Sequence, residues 1–257
     1  MNTAPLAWIL PDWPAPGRVR ALITTRQGGV STGPYGVPPE GLGGMNLGFG
    51  SGDLPQAVSE NRTRLRQLLP SEPRWLKQVH GAAAVAAEQV TAPVEADASY
   101  TSTPGVVAAV LVADCMPVLL ADPAGRCVGV AHAGWRGLAA GVIQNVAAAM
   151  RDRLADPSAE LIAYLGPAIG PSHFEVGREV LEAMTQSLPD APAAFVARGD
   201  KYLADLFALG RQALAQAGIS GIHGRFECTY SDPGRYFSFR RDRVTGRHAA
   251  LVWLEQA

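Results

Sequence analysis

Three segments of the chain each carry a metal-binding side chain after an apolar run. They read KQVHG around His80, ADC ending at Cys115, and AHAGWRG around His132. Because apolar runs of this kind predict strands, the three side chains can converge at the ends of neighbouring strands. Two imidazoles and one thiolate form a ligand set of catalytic zinc sites, which leave a fourth position open for water or substrate. The intervals match no local ligand motif, so packed or hydrogen-bonded side chains are the competing interpretation.

Two charged residues beside these segments favour a chemical role. Asp114 follows the apolar run VVAAVLVA, where a buried carboxylate is costly unless a cation or hydrogen-bond donors face it. Arg136 lies between Gly134 and Gly137 at the start of a predicted helix, so its guanidinium and free backbone N–H groups could face an anion together. A solvent-exposed arginine at a helix start is the alternative interpretation.

The predicted strands and helices that must position these residues alternate irregularly along the chain. This pattern predicts one α+β domain over residues 1–257. Apolar and β-branched runs predict strands, and apolar residues at helical spacing predict helices. Strands are predicted at 19–25, 74–81, 83–90, 105–115, 160–166 and 247–254, with a hairpin over 117–135 that turns at 122–125. Helices are predicted at 56–69, 137–154, 176–188 and 202–218, the last one closed by Gly218.

The glycine-rich stretch 26–48 predicts a long, flexible loop without packed elements. Loops of this length are uncommon in compact domains unless they are functional or disordered. We therefore expect this loop to cover the site, with a plain surface loop as the alternative.

Composition and charge exclude several classes of protein. Hydrophobic residues make up 47% of the 257 residues and charged residues 18%, which excludes wholesale disorder. A balance of 22 basic against 23 acidic residues lacks the cation excess of nucleic-acid binding, so a small neutral or weakly charged substrate fits better. Three cysteines argue against a secreted disulfide framework. The N-terminus predicts neither a signal peptide nor a membrane helix, so we expect a cytoplasmic protein without a membrane partner.

Several long motifs in order carry a resemblance to a known family. The motifs KQVHG, ADCMPVLL, VAHAGWRG, YLGPAIGP and CTYSDPGRYFSFRRD resemble those of the bacterial laccase-domain family, also described as multicopper-polyphenol-oxidase-like and now as purine nucleoside phosphorylases. The resemblance implies a mixed-sheet α+β fold similar to that of toxin-type cysteine deamidases. It implies a metal, usually zinc with copper as an alternative, bound by His80, Cys115 and His132. It also implies phosphorolysis of adenosine, inosine and S-methyl-5′-thioadenosine, together with deamination of adenosine.

The sequence differs from this family at one motif, and it does not fit the oxidase activity in the family's older name. Relatives commonly carry cysteine after GPAIGP, where this chain has Ser172 and His173, so a role assigned to that cysteine is in doubt. Multicopper oxidation needs a blue-copper site and a separate copper cluster supplied by many histidines. Five histidines and no His-X-His motif cannot supply them.

The two implied reactions assign roles to individual residues. In deamination, a metal lowers the pKa of bound water to about 7 for attack on C6 of adenine, and an acid must protonate the departing ammonia. Asp114 is the predicted proton carrier. In phosphorolysis, phosphate takes the place that water has in glycoside hydrolysis, and it needs cations. Arg62 and Arg136 are the predicted phosphate ligands, with Arg26 and Lys77 in reserve.

Amide side chains can read a purine edge or ribose hydroxyls, which makes Asn46 and Gln78 predicted substrate ligands. Local hydrogen bonding within loops is their alternative role. The arginine-rich stretch 235–247 is interpreted as a solvated or ion-paired face.

Two further functions remain open at this point. A cysteine hydrolase or amidase would use Cys115 as nucleophile and His132 as its base. A metal-dependent binding protein would hold the metal without turnover. The sequence leaves open the preferred nucleoside, the metal, and whether the protein is a monomer or a dimer.

Overall fold

Strands form where apolar residues run continuously or alternate along the chain. A computed structural model describes residues 8–256; residues 1–7, part of the N-terminal stretch interpreted above, and residue 257 lie outside the described residues. In chain order the strands are β1 (Trp8–Ile9), β2 (Val19–Thr24), β3 (Gln27–Ser31), β4 (Ala84–Ala86), β5 (Ala98–Thr101), β6 (Ala108–Val112), β7 (Met116–Ala121), β8 (Val128–Ala133), β9 (Ile162–Leu165), β10 (Glu175–Val176), β11 (Phe195–Arg198), β12 (Lys201–Ala204), β13 (Gly221–Gly224) and β14 (His248–Leu254).

The helices begin and end at residues suited to those positions. Pro55 opens the first helix, where its missing N–H costs nothing. Gly218 follows the fifth helix with a positive φ of 72°, in agreement with its predicted role in closing that helix. No helix in residues 8–256 is long and apolar enough to cross a membrane. The helices are α1 (Pro55–Arg66), α2 (Trp135–Ala139), α3 (Val142–Arg153), α4 (Arg178–Ser187), α5 (Leu206–Gln216) and α6 (Phe239–Asp242).

The strands form three sheets, and the largest is mixed. Its order is β13-β9-β7-β8-β5-β4, with parallel pairs at both edges and antiparallel pairs between them. The second sheet, β1-β2-β14-β6, is antiparallel throughout, and β10-β12-β11 form a small third sheet. The α+β class with mixed sheets and flanking helices is therefore confirmed.

Alternation of side chains along the strands builds a four-layer core. On β7, Val118 and Leu120 pack against the helices α2 to α5, whereas Leu119 faces the four-stranded sheet. On β14, Ala250 faces the six-stranded sheet, and Leu251 faces α1. The layers are thus α1, the four-stranded sheet, the six-stranded sheet, and the remaining long helices.

Four predicted elements differ from the structure. Residues 74–81 are extended but make only isolated bridges, and residues 83–90 contain the short β4 followed by a 3-10 turn. The single helix predicted at 137–154 is two helices, because Gly141 breaks it with a φ of 85°. The helix predicted at 202–218 starts only at Leu206, since Asp205 caps it and the residues before it form β12.

The prediction of a flexible, unpacked loop at 26–48 is wrong. The stretch contains β3 and a 3-10 turn, and it buries Met45 and Leu47 against α1 and the four-stranded sheet. Its glycines allow close packing: a Cβ on Gly44 would lie 1.7 Å from the carbonyl oxygen of Tyr35. Only Gly48, at its end, lines the cleft described below.

Asn61 on α1 fastens this stretch to the core. It is fully buried, and its Oδ1 accepts a hydrogen bond from the amide of Val30 at 2.8 Å. Its Nδ2 lies within 2.9–3.1 Å of Ser31 Oγ and the carbonyl oxygens of Gly44 and Asn46. One side chain therefore joins both ends of the stretch to a helix.

We expect Asn61→Ala to lower the free energy of unfolding by about 3 kcal/mol, because it leaves several buried groups without partners. Urea denaturation measures this change. Asn145→Ala on α3, which removes an exposed hydrogen bond to Ala82, is the matched control and should cost below about 1 kcal/mol. Equal losses in the two variants would contradict the role of Asn61.

Candidate metal centre and substrate cleft

The three predicted ligands converge. Their ligand atoms all lie within 4.8 Å of one another, and the rings of His80 and His132 are 4.8 Å apart at 71°. Cys115 immediately precedes β7, and His132 lies opposite Pro117 on the paired strand β8, so the hairpin register brings them together. His80 lies on a turn with a positive φ of 61° rather than at a strand end.

Asp97, which the sequence analysis missed, organises these ligands. Its buried carboxylate accepts hydrogen bonds from the amides of Val79, His80 and Gly81 at 2.7–3.0 Å and lies 2.7 Å from Nδ1 of His132. Burial alone would raise the pKa of Asp97, but these hydrogen bonds hold it below its ordinary value. A carboxylate bonded to Nδ1 leaves Nε2 of His132 as the nitrogen available to a metal. The one sequence signal is an acid flanked by two alanines, Ala96 and Ala98.

The pKa values of two candidate ligand side chains also suit a metal site. Burial alone would raise the pKa of Cys115, but the adjacent imidazoles of His132 and His80 lower it to about 6. Burial would lower the pKa of His132, but Cys115 and Asp97 raise it to about 9. A site that stabilises a thiolate next to positive charge is suited to a divalent cation.

Asp114 has the donors that a buried carboxylate requires. Its Oδ1 accepts a hydrogen bond from the hydroxyl of Thr229, and its Oδ2 accepts one from the amide of Arg240, both at 2.6 Å. The residue has a positive φ of 83° and lines the cleft beside Cys115. It therefore joins the start of α6 to the segment that carries Cys115.

A cleft of about 530 Å³ opens over the three ligands. This volume suits a small molecule. Arg136 is exposed at the cleft, with its guanidinium 4.3 Å from the ring centre of Trp135. Apolar walls alternate with polar groups, and the apolar lining includes Leu76, Leu111, Trp135, Ile169, Phe174 and Phe239.

Two more arginines, Arg240 and Arg247, line the cleft, so the interpretation of the stretch 235–247 as a solvated or ion-paired face is wrong for them. It is confirmed for Arg235 and Arg241, which pair with Glu227 and Asp242. Arg247 donates from Nη1 to the carbonyls of Thr245 and Gly246, and burial lowers its pKa. Arg240 donates from Nη1 to the carbonyl of Glu175 at 2.8 Å. No local sequence signal separates these two arginines from their neighbours.

Three predicted phosphate cations lie away from the cleft wall. Arg62 is sandwiched between Phe49 and Trp75, with its Cζ 4.5 and 4.1 Å from the ring centres, and burial lowers its pKa to about 10. Lys77 is exposed and pairs with Glu95 at 2.8 Å. Arg26 is buried and donates to backbone carbonyls and Asp242. These contacts hold all three side chains outside the lining of the cleft, whereas the phosphate assignments require them within it.

The two predicted amide ligands are used by the protein itself. Gln78 lines the cleft, but its amide makes a two-way hydrogen-bonded pair with the backbone of Leu111. Asn46 is fully buried, donates to Ser51 and Asp53, and accepts from the amides of Gly48 and Arg247. Direct contact with substrate through Asn46 is therefore corrected to a role in positioning Gly48 and Arg247.

Comparison with known proteins gives matches over nearly the whole chain. The family model described as multi-copper polyphenol oxidoreductase laccase matches residues 20–255. A purine nucleoside phosphorylase of Pseudomonas aeruginosa is 47% identical over 251 residues, covering 97% of this chain and 99% of that protein. The purine nucleoside phosphorylase YfiH of Escherichia coli is 48% identical over 249 residues, covering 96% and 98%.

Solved structures agree with these matches. A Neisseria meningitidis protein has a TM-score of 0.89 and 45% identity, covering 97% of this chain and 100% of that chain. YlmD of Geobacillus stearothermophilus has a TM-score of 0.87 and 31% identity, covering 98% of both chains. Sequence identity near one half and a shared fold over the full length show that the chain belongs to the multi-copper polyphenol oxidoreductase laccase family.

Proposed function

We propose that the protein is a zinc-dependent purine nucleoside phosphorylase that acts on adenosine, inosine and S-methyl-5′-thioadenosine, and that it also deaminates adenosine. One observation carries the proposal: a single cleft combines the His80–Cys115–His132 ligand set with guanidinium groups and apolar walls. The names of the relatives from Pseudomonas aeruginosa and Escherichia coli support the substrate class. Copper is the alternative metal, and three free thiols suit the cytoplasm.

The ligand set and its surroundings support the following roles for the metal and for nearby residues. Zinc held by His80, Cys115 and His132 would supply a Lewis acid that polarises an oxygen at the purine or the sugar. Asp97 holds His132 in one orientation through Nδ1 and fixes the turn that carries His80. The apolar walls limit water around the nucleoside, which would otherwise compete with phosphate.

Phosphorolysis requires an anion held on one face of the sugar while the glycosidic bond breaks toward an oxocarbenium-like state. We assign this task to Arg136 and Arg247. Arg136 is exposed at the cleft and braced by Trp135, so its N–H groups can turn to phosphate. Arg247 is anchored by two carbonyls, which fixes its guanidinium before phosphate arrives.

Both reactions also require proton delivery to a leaving group. We assign this task to Asp114, because its carboxylate lies at the cleft next to the ligand Cys115. The hydroxyl of Thr229 and the amide of Arg240 hold the carboxylate in place. A carboxylate fixed there can take a proton from the attacking water or from the entering phosphate and pass it to the departing ammonia or base.

A cysteine hydrolase is the second candidate function. One observation favours it: Asp97 is hydrogen-bonded to Nδ1 of His132, and the sulfur of Cys115 lies within 4.8 Å of that residue's ligand atom, an arrangement like that of a cysteine nucleophile, its base and the base's orienting acid. Metal content separates the two functions, since a zinc-bound thiolate is a ligand and a nucleophile must be free. Iodoacetamide should leave Cys115 unlabelled in the zinc-loaded protein, whereas labelling together with hydrolysis of amide substrates would favour the hydrolase.

The direct test is a nucleoside panel assayed with and without phosphate on protein of measured metal content. We expect adenosine, inosine and S-methyl-5′-thioadenosine to give free base and a sugar 1-phosphate only when phosphate is present, and adenosine to give inosine without it. Chromatography of the products measures both reactions. No turnover by fully zinc-loaded protein would refute the proposal and favour a metal-dependent binding protein.

The purified protein should carry about one zinc ion per chain, and His80→Ala, Cys115→Ala and His132→Ala should each reduce occupancy sharply. Two remaining ligands cannot replace a set of three. Elemental analysis of the purified variants measures the effect. His223→Ala, which removes a histidine on β13 outside the ligand set, is the control and should keep its zinc. Full zinc occupancy in all three ligand variants would contradict the metal assignment.

Arg136→Ala should raise the phosphate KM or lower the rate of phosphorolysis about ten-fold or more, the size expected for one lost charge-assisted hydrogen bond. Deamination should change much less, because it uses no phosphate. Steady-state kinetics of both reactions on the same preparation give the comparison, with the exposed Arg178→Ala as control. Equal losses in both activities would instead indicate a general role in folding or purine binding.

A further inference from the structure

A second cavity lies behind one wall of the cleft. Its volume is about 300 Å³, and Cys228 and His173 line it together. The segment 169–174 separates the two spaces: Ile169 and Phe174 line the cleft, whereas Gly170 and His173 line the second cavity. The proposed function uses no residue of this cavity.

Cys228 and His173 are arranged for proton transfer. The Sγ of Cys228 lies 3.8 Å from Nδ1 of His173, within hydrogen-bonding distance for sulfur. The amide of Gly170 donates to the same sulfur at 3.1 Å. The imidazole stacks on the ring of Tyr230, with centres 4.2 Å apart and planes 17° apart, which fixes its position. Ser231 Oγ also lies 3.5 Å from Nδ1 and is the competing partner for this nitrogen.

The other two cysteines are unsuited to reaction with small molecules. Cys127 is fully buried, and burial raises the pKa of its thiol to about 12. Cys115 belongs to the predicted ligand set, where a metal would hold its sulfur. Cys228 is partly exposed and faces a cavity that can admit a small reagent.

We propose that Cys228 is a thiol-modification site that takes small disulfides by exchange. His173 Nδ1 accepts the thiol proton of Cys228, and the sulfur attacks one sulfur atom of the disulfide. A new S–S bond forms to Cys228 as the S–S bond of the reagent breaks. The departing thiolate takes the proton from His173 and leaves as a thiol, so Cys228 is oxidised and half of the reagent is reduced.

Modification at Cys228 would act on the substrate cleft through the shared wall. A substituent on the sulfur disturbs the hydrogen bond from Gly170, which follows the cleft residue Ile169. The next residue, Thr229, holds Asp114 through its hydroxyl group. The mixed disulfide therefore displaces two parts of the cleft lining, Ile169 and Asp114, and does not contact the proposed metal ligands.

The test uses zinc-loaded protein and 2-hydroxyethyl disulfide as the probe. Peptide mass spectrometry should find the mixed disulfide on Cys228 first, with Cys127 and Cys115 unmodified. His173→Ala should slow its formation about ten-fold, because the proton acceptor is lost. His223→Ala is the matched control and should react at the wild-type rate. No adduct on Cys228, earlier reaction of another cysteine, or equal rates in the two histidine variants would overturn the proposal.

The rate of phosphorolysis gives a second readout. This readout rests on the proposed function, whereas the formation of the adduct does not. Wild-type protein with a complete adduct should lose most phosphorolysis and regain it after reduction. Cys228→Ser should keep its activity and resist the probe. Full activity in adducted wild-type protein would overturn the coupling to the cleft.

Discussion

The buried carboxylate of Asp97 is the interaction on which the candidate site depends. Burial of an uncompensated carboxylate costs several kcal/mol, and here three amides and one imidazole satisfy it. The amides belong to the turn that carries His80, and the imidazole is that of His132. The backbone takes part as well, since the amide of His132 donates to the carbonyl of Asp97 at 2.7 Å. One residue therefore fixes two of the three candidate metal ligands relative to each other and to the six-stranded sheet.

The third ligand is fixed by the passage of the chain from one sheet to the other. The strand β6 belongs to the four-stranded sheet and β7 to the six-stranded sheet, so the intervening residues 113–115 cross the seam between the two layers. Asp114 takes a left-handed conformation there, which carries strain in a residue other than glycine. The hydrogen bonds from Thr229 and Arg240 stabilise that conformation and turn Cys115 toward the histidines.

The sequence predicts the elements that depend on local pattern, and it misses what depends on distant contacts. The hairpin β7–β8, α4 and β14 follow from apolar runs and turn residues. The candidate ligands His80, Cys115 and His132 follow from their residue types after apolar runs, and the resemblance supports them. The role of Asp97 depends on contacts with residues up to 35 positions away, which no local pattern encodes. Glycine content in the stretch 26–48 indicates flexibility in isolation, but Gly44 is required there because another backbone approaches it closely.

The same limit explains why the sequence does not separate the arginines that line the cleft from those that do not. From sequence, Arg62 and Arg247 are both cations near chemical motifs, and only packing separates them. Aromatic rings cover both faces of Arg62, which stiffens the segment that carries Phe49 beside the cleft. Arg247 instead uses one nitrogen for backbone carbonyls, while Asn46 holds its amide. A guanidinium that is anchored at one end and lines the cleft loses little further freedom on binding an anion, so the buried hydrogen bonds of Asn46 restrict Arg247 before any ligand enters the cleft.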